Sequence, residues 1–144
     1  MSKDLHEKAL AYHQEGKPGK LDVTSHKKLD NDQDLSLAYS PGVAAPVREI
    51  VKDANNVNKY TIKGNSVAVI TDGSAVLGLG NVGPLAAKPV MEGKAVLFKH
   101  FAGINVFNIE LDTQNVDEIV NTIKNIAPTF GGINLEDISA PRCF

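Results

Sequence analysis

The second half of the chain alternates between short apolar runs and longer stretches with helical periodicity. Apolar runs at 67–71, 104–109 and 133–135 lie between glycines and polar residues, a pattern that predicts buried strands. Between them, apolar side chains recur at helical spacing over 89–101 and 116–127. Strands that alternate with helices in this way predict βαβ units. We therefore expect an α/β, three-layer fold around a mainly parallel sheet.

The first half of the chain has a weaker pattern and predicts helices and loops only. Residues 4–15 have amphipathic spacing, and the glycines and proline of 16–19 end that pattern. Residues 20–38 are rich in charge and predict a loop with at most one short helix. A further helix is expected to begin near Pro46, because proline is favoured in a first helical turn. A polar connection over 55–65 then leads to the first strand.

A turn signal and two prolines follow the first predicted strand. Asp72-Gly73 is typical of a hairpin turn, so a second short strand is expected over 74–77. Pro84 and Pro89 come next. Because a proline steers the residue before it away from the α region, we expect the next helix to begin at Pro89.

The same stretch contains a G-x-G-x-x-G sequence formed by Gly78, Gly80 and Gly83. In dinucleotide-binding loops these glycines follow a strand directly and open a helix at once. Here the predicted helix is delayed to Pro89, although two acidic residues, Glu110 and Asp112, do follow the next strand. A stand-alone dinucleotide-binding module therefore stays open as an alternative. We favour the interpretation that these glycines let the backbone approach a small ligand or a neighbouring helix.

Composition excludes several classes of protein. The chain has 144 residues, 42% of them hydrophobic, and a net charge of −2, so it has no general attraction for nucleic acid or anionic membranes. No apolar run approaches the roughly 20 residues that span a bilayer, and the N-terminus lacks the apolar core of a secretory signal. The single cysteine, Cys143, excludes an intrachain disulfide. We expect one cytosolic domain over residues 1–144.

The apolar C-terminal end indicates a domain cut from a longer chain. The sequence stops at Ala-Pro-Arg-Cys-Phe directly after a predicted strand, without a polar tail. The alternative is that Cys143 and Phe144 pack back onto the core, and composition does not decide between the two.

Lys94 and a pair of carboxylates are the residues with the clearest chemical potential. Lys94 lies in an apolar row of the predicted helix, between Val90 and Leu97. Such a lysine usually extends to solvent from the helix edge. If the row faces a ligand crevice, desolvation favours the neutral amine, which can act as a general base.

Glu136 and Asp137 end the last predicted strand. Ligands of parallel sheets bind beyond the carboxyl ends of the strands, and adjacent carboxylates suit Mg²⁺ or Mn²⁺, which prefer oxygen ligands. The alternative is that one carboxylate points to solvent and the other caps the following turn. The four histidines show no metal-ligand spacing and receive no role.

Four segments in order carry a family resemblance. They are Ala-Tyr-Ser-Pro-Gly-Val-Ala at 38–44, Val-Ile-Thr-Asp-Gly-Ser-Ala-Val-Leu-Gly-Leu-Gly-Asn-Val-Gly at 69–83, Gly-Lys at 93–94 and Ile-Asn-Leu-Glu-Asp-Ile at 133–138. Together they resemble the N-terminal, substrate-side domain of the small bacterial malic enzymes, from about residue 22 onward. The resemblance implies oxidative decarboxylation of L-malate to pyruvate and CO₂ with NAD⁺ or NADP⁺ and Mg²⁺ or Mn²⁺.

The resemblance implies a role for four residues. Tyr39 matches the general acid of the family and Lys94 the general base, while Glu136 and Asp137 match two of its three metal carboxylates. In this chemistry the amine accepts the C2 hydroxyl proton as hydride leaves, and the phenol protonates C3 of enolpyruvate. Without the resemblance, Tyr39 would be interpreted as a half-buried aromatic residue whose hydroxyl is hydrogen-bonded to the backbone.

The resemblance also implies elements beyond these residues. The third metal carboxylate and the NAD(P)-binding domain are expected after residue 144, so the 144-residue chain alone is expected to be inactive. Larger members have a carboxylate-binding arginine in the segment where this chain has Ser74 and Ala75, and here loop N–H groups or a lysine are expected to replace it. The implied enzyme is a cytoplasmic homodimer that acts on malate and binds neither nucleic acid nor membranes.

A third hypothesis is a non-catalytic dimerisation domain. In that case Lys94 and the Glu136-Asp137 pair are structural residues, and the chain neither binds a metal nor takes part in malate turnover.

Overall fold

The apolar runs of the second half form three parallel strands, β1 (Ser66–Thr71), β2 (Asn105–Glu110) and β3 (Gly132–Leu135). β1 is central and pairs with β2 on one side and β3 on the other, in the order β2-β1-β3. In this register Val67 lies opposite both Val106 and Gly132. The predicted parallel sheet is confirmed, and each strand begins or ends within one residue of its expected position.

Residues 2–144 are described by a computed structural model, which divides them into two compact units. The larger unit comprises 2–21 and 66–144, and the smaller comprises 22–65. Their helices are α1 (Lys3–Gln14), α2 (Asp32–Ala38), α3 (Ala44–Lys52), α4 (Val57–Tyr60), α5 (Gly83–Ala102) and α6 (Val116–Ile126). The expected polar connection over 55–65 is instead mostly helical, with α4 between two 3₁₀ turns. No helix among residues 2–144 is both long and apolar enough to cross a bilayer.

Helices α5 and α6 cover the two faces of the sheet. α5 connects β1 to β2, and α6 connects β2 back across β1 to β3. Crossovers between parallel strands are right-handed as a rule, and because these two run in opposite directions, the rule assigns their helices to opposite faces, as a three-layer fold requires. One core cluster consists of Ala68, Ile70 and Phe130, against which the α6 residues Ile123 and Ile126 pack.

The beginning of α5 corrects the prediction from sequence. The helix begins at Gly83 rather than Pro89, and Pro89 lies inside it. Pro84 occupies the first turn, where an N–H has no helical acceptor, so its ring costs no hydrogen bond. Pro89 removes only the bond to the carbonyl of Leu85, a residue that is 88% exposed.

The expected strand over 74–77 is absent. Asp72 Oδ1 accepts from the Ser74 N–H at 2.9 Å, which begins a turn. Val76 then pairs only with Gly80 in an isolated antiparallel bridge. The chain therefore folds back on itself here instead of extending the sheet.

Replacing Gly73 by alanine is expected to destabilise the chain by about 3 kcal/mol or more. An added Cβ would lie 2.2 Å from the Gly83 carbonyl oxygen, and Gly73 has a φ of 67°. Gly78 is the matched control, since it has a φ of 76° but no atom within 4 Å of an added Cβ. Gly78→Ala is expected to cost only about 1 kcal/mol, the price of a left-handed backbone. Equal losses for both variants in urea unfolding would refute the close contact.

Candidate functional site

The structure brings Lys94 together with the carboxylates that follow β3. The Lys94 Nζ lies 3.2 Å from Glu136 Oε1. Glu136 is fixed from two sides, because its N–H donates to the Ile70 carbonyl at 2.9 Å and its Oε2 accepts from Asn134 Nδ2 at 2.9 Å. An amine and a partly buried carboxylate are thus held at the carboxyl end of the central strands.

Asp137 adds a second carboxylate in an unusual backbone conformation. Its φ of 54° lies in the left-handed region, and its carbonyl accepts from the Ala75 N–H at 3.0 Å. Burial raises the pKa of Asp137 above its ordinary value of 3.8 and the Glu136 carboxylate raises it further, whereas the Lys94 ammonium lowers it. A bound cation would reduce the electrostatic repulsion between these two neighbouring carboxylates.

The donor set fits part of a divalent-metal site. Glu136 and Asp137 supply carboxylate oxygens, which Mg²⁺ and Mn²⁺ prefer. Burial and the neighbouring Glu136 carboxylate both raise the pKa of Asp137, as expected for two adjacent acids. No group of three His, Cys, Asp or Glu side chains able to hold a metal was found in residues 2–144. This part of the chain therefore offers two carboxylates, and Lys94 partly compensates their charge.

The apolar row that contains Lys94 faces outward in the larger unit. Val90, Leu97 and Phe101 are 42%, 53% and 78% exposed, while the Lys94 side chain is 34% exposed. The buried side of α5 is the row of Met91 instead. The Lys94 side chain is therefore only partly buried, and its amine contacts Glu136.

Tyr39 belongs to the smaller unit, where it ends α2. Its side chain is 71% exposed, and no hydrogen bond to its hydroxyl is found within residues 2–144. The interpretation of Tyr39 as a half-buried aromatic residue whose hydroxyl is bonded to the backbone is therefore wrong. Its role as an acid stays a prediction.

The glycine motif does not have the arrangement of a dinucleotide loop. β1 ends at Thr71, seven residues before Gly78, and no strand lies between them. Gly78, Gly80 and Gly83 have φ of 76–79° and no atom within 4 Å of an added Cβ, so they permit left-handed turns rather than a close approach. The expectation that they bring the backbone close to a neighbouring helix is wrong for Gly78 and Gly80. Gly83 opens α5, and it is Gly73 that approaches its carbonyl closely.

Glu110, the acidic residue that the dinucleotide-binding alternative would use, is engaged with other side chains. The Glu110 carboxylate pairs with Lys88 Nζ at 3.0 Å and accepts from Asn108 Nδ2 at 2.6 Å. A cavity of about 560 Å³ lies between residues 82–85 and the end of β2. Lys88 and Glu110 both line it, and they are paired with each other.

Several residues near the carboxylates were missed from the sequence. Asp72 is fully buried, and its Oδ2 lies 3.2 Å from Arg142 Nη1. Ser74 Oγ accepts from the Ser139 N–H at 2.9 Å. The sequence marks Asp72 only as a turn residue before Gly73, and Arg142 lies 70 positions further on, so no local signal could have found the pair. The side chains of Cys143 and Phe144 are exposed, which contradicts their packing on the core.

Comparisons with known proteins identify the family of this chain. The sequence matches the family model for the malic enzyme N-terminal domain over residues 18–116 and 113–144. Two proteins of Rhizobium meliloti (strain 1021), named NADP-dependent and NAD-dependent malic enzyme, are each 57% identical to it, over 138 and 143 residues. The crystal structure of malic enzyme from Pyrococcus horikoshii Ot3 superposes with a TM-score of 0.93 at 52% identity.

The comparisons cover this chain almost completely, and the relatives only in part. They include 96% and 99% of this chain for the two Rhizobium proteins, and 96% for the Pyrococcus structure. The chain spans only 18% and 19% of the Rhizobium proteins and 33% of the Pyrococcus chain. The resemblance drawn from the four sequence segments is confirmed.

Proposed function

Because this chain belongs to the malic enzyme family, we propose that it is the substrate-side domain of an enzyme that converts L-malate to pyruvate and CO₂ with NAD⁺ or NADP⁺. The observation that supports this proposal most is the 3.2 Å contact between Lys94 Nζ and Glu136 Oε1. It brings a candidate base next to a pair of candidate metal ligands, and the proposed reaction needs both at C2 of malate.

In this proposal Glu136 and Asp137 hold a divalent cation through their carboxylate oxygens. The cation, when bound, supplies a Lewis acid for the C2 oxygen and the adjacent carboxylate of malate. Asn134 keeps Oε2 of Glu136 oriented. The further metal carboxylate and the cofactor-binding domain are proposed to lie outside these 144 residues.

Lys94 is the proposed general base. After the Lys94 ammonium has given up its own proton to solvent, its neutral amine accepts the proton of the C2 hydroxyl while hydride passes from C2 to the nicotinamide cofactor. Because Nζ already lies against Glu136, a substrate hydroxyl at the carboxylates would be within reach of the amine.

Tyr39 is the proposed general acid. Loss of CO₂ leaves enolpyruvate, whose C3 must gain a proton, and a phenol hydroxyl can donate it. Support comes from the sequence match around Tyr39 and from its exposed side chain, whose hydroxyl has no acceptor among residues 2–144. For the same family reason we propose a cytoplasmic homodimer.

A turnover assay tests the proposal. The full-length enzyme that contains this domain is expected to form pyruvate, CO₂ and reduced cofactor in equal amounts from malate, Mn²⁺ and NAD⁺ or NADP⁺. The 144-residue chain alone is expected to give none. Absence of pyruvate from the full-length enzyme, or clear turnover by the short chain, would contradict the proposal. Calorimetric binding of NADH to the short chain would instead favour the dinucleotide-binding alternative.

A further inference from the structure

Arg142 connects the loops that follow all three strands. Its Nη1 lies 3.2 Å from Asp72 Oδ2, in the loop after β1, and donates to the Gln114 carbonyl at 2.7 Å, in the loop after β2. Its Nη2 donates to Ser139 Oγ at 2.6 Å, in the loop after β3. The planar fork of a guanidinium can serve three acceptors at once, which a lysine ammonium cannot do with the same geometry.

The buried Asp72 carboxylate is the charged partner of Arg142 in this connection. The Asp72 side chain is fully buried, and its Oδ1 accepts from the Ser74 N–H at 2.9 Å. Oδ2 is buried and receives no hydrogen bond of good geometry within residues 2–144, so the Arg142 guanidinium is what compensates its charge. Because a buried carboxylate without a cation is costly, the pair holds Arg142 in place.

The loop that contains Asp137 is bound to the same loop after β1. The Asp137 carbonyl accepts from the Ala75 N–H at 3.0 Å, and the Ser139 N–H donates to Ser74 Oγ at 2.9 Å. Asp137 lies between these contacts with a φ of 54°, a conformation that non-glycine residues keep only when their surroundings fix it.

We propose that the Asp72–Arg142 pair is a positioning device for the Asp137 carboxylate, acting through Ser74, Ala75 and Ser139. Arg142 and Asp72 touch no reacting atom in this role. They hold the β3 loop against the β1 loop, so that the Asp137 oxygens stay beside Glu136 for a divalent cation. This inference rests on the proposed function, since it assigns the pair to the metal site of that reaction.

The test compares Arg142→Ala and Asp72→Asn with wild type and with Lys8→Ala, which breaks an exposed ion pair to Asp4. In the full-length enzyme without metal, hydrogen exchange in the peptides over 72–77 and 136–140 is expected to accelerate about tenfold or more in the first two variants. Their Kd for Mn²⁺, measured by electron paramagnetic resonance, is expected to rise about 10–100-fold, as for other groups that orient metal ligands. Lys8→Ala is expected to change neither quantity.

Arg142→Lys separates positioning from a general effect on folding. It retains a cation beside Asp72 and is expected to recover part of the Mn²⁺ affinity lost in Arg142→Ala, and it replaces that variant in the comparison if the alanine protein does not fold. Mn²⁺ affinity within twofold of wild type in both Arg142 variants would overturn the inference, even if the melting temperature falls. If wild type turns over malate in that case, only the positioning role is refuted. If wild type neither binds Mn²⁺ nor turns over malate, the proposed function fails with it.

Discussion

Replacing Lys94 by alanine is expected to lower kcat for malate oxidation by about 10²–10⁴-fold, the usual contribution of a general base. The amine lies 3.2 Å from Glu136 Oε1, and alanine leaves no group there to accept the C2 hydroxyl proton. Because the change removes a cation rather than a metal ligand, Mn²⁺ affinity is expected to be retained. Steady-state kinetics with saturating Mn²⁺ and cofactor measure the first effect, and calorimetry measures the second.

Leu97→Ala is the matched control for this variant. Leu97 lies on the same outward row of α5, three residues further on, and is 53% exposed. It is expected to retain kcat within a few-fold of wild type. A similar loss in both variants would mean that α5 supports the enzyme structurally and that Lys94 has no chemical role, as the hypothesis of a non-catalytic domain requires.

Replacing Asp137 by asparagine is expected to have the second largest effect and to change binding and stability in opposite directions. Asparagine tolerates the φ of 54° but supplies a neutral oxygen, so the Kd for Mn²⁺ is expected to rise by at least about 100-fold. The metal-free variant is expected to be more stable than wild type, with a higher melting temperature, because the neutral amide carries no charge to bury beside Glu136. A stability gain without any loss of Mn²⁺ affinity would remove Asp137 from the metal site.

The pH dependence of this stability gain follows from the pKa of Asp137. Burial and the Glu136 carboxylate raise that pKa above 3.8, so the unfolded chain loses the proton first as the pH rises. Well below 3.8 both states are protonated and the carboxyl contributes nothing. Above the raised pKa the ionised group disfavours the folded state. The difference in melting temperature between the asparagine variant and wild type is therefore expected to grow from acid to neutral pH, and a constant difference would contradict the shift.

The central part of the fold could be predicted because its signals are local. The apolar runs of β1, β2 and β3 stand between polar residues and glycines, and their alternation with helices fixes a parallel sheet. The start of α5 could not be placed by the same rules. Pro89 resembles a helix beginning, yet packing of Ala87 and Met91 against the sheet outweighs the one hydrogen bond that the proline removes.

The site could be predicted only in part, for a similar reason. The motifs around Lys94 and Glu136 point to the residues proposed here as reacting groups, because those segments are distinctive as sequences. The Asp72–Arg142 pair joins residues 70 positions apart, and the outward row of Lys94 depends on which side of α5 packs. Both features depend on tertiary contacts, which the spacing of apolar residues along the sequence does not reveal.

Single-turnover kinetics test most directly whether Lys94 is the base at this site. Full-length wild type, Lys94→Ala and Leu97→Ala are loaded with Mn²⁺ and cofactor and mixed with malate, and reduced cofactor is followed by absorbance. Wild type and Leu97→Ala are expected to show a fast phase, and Lys94→Ala is expected to lose that phase while binding Mn²⁺ as tightly as wild type. A fast phase at the wild-type rate in Lys94→Ala would contradict the role of Lys94.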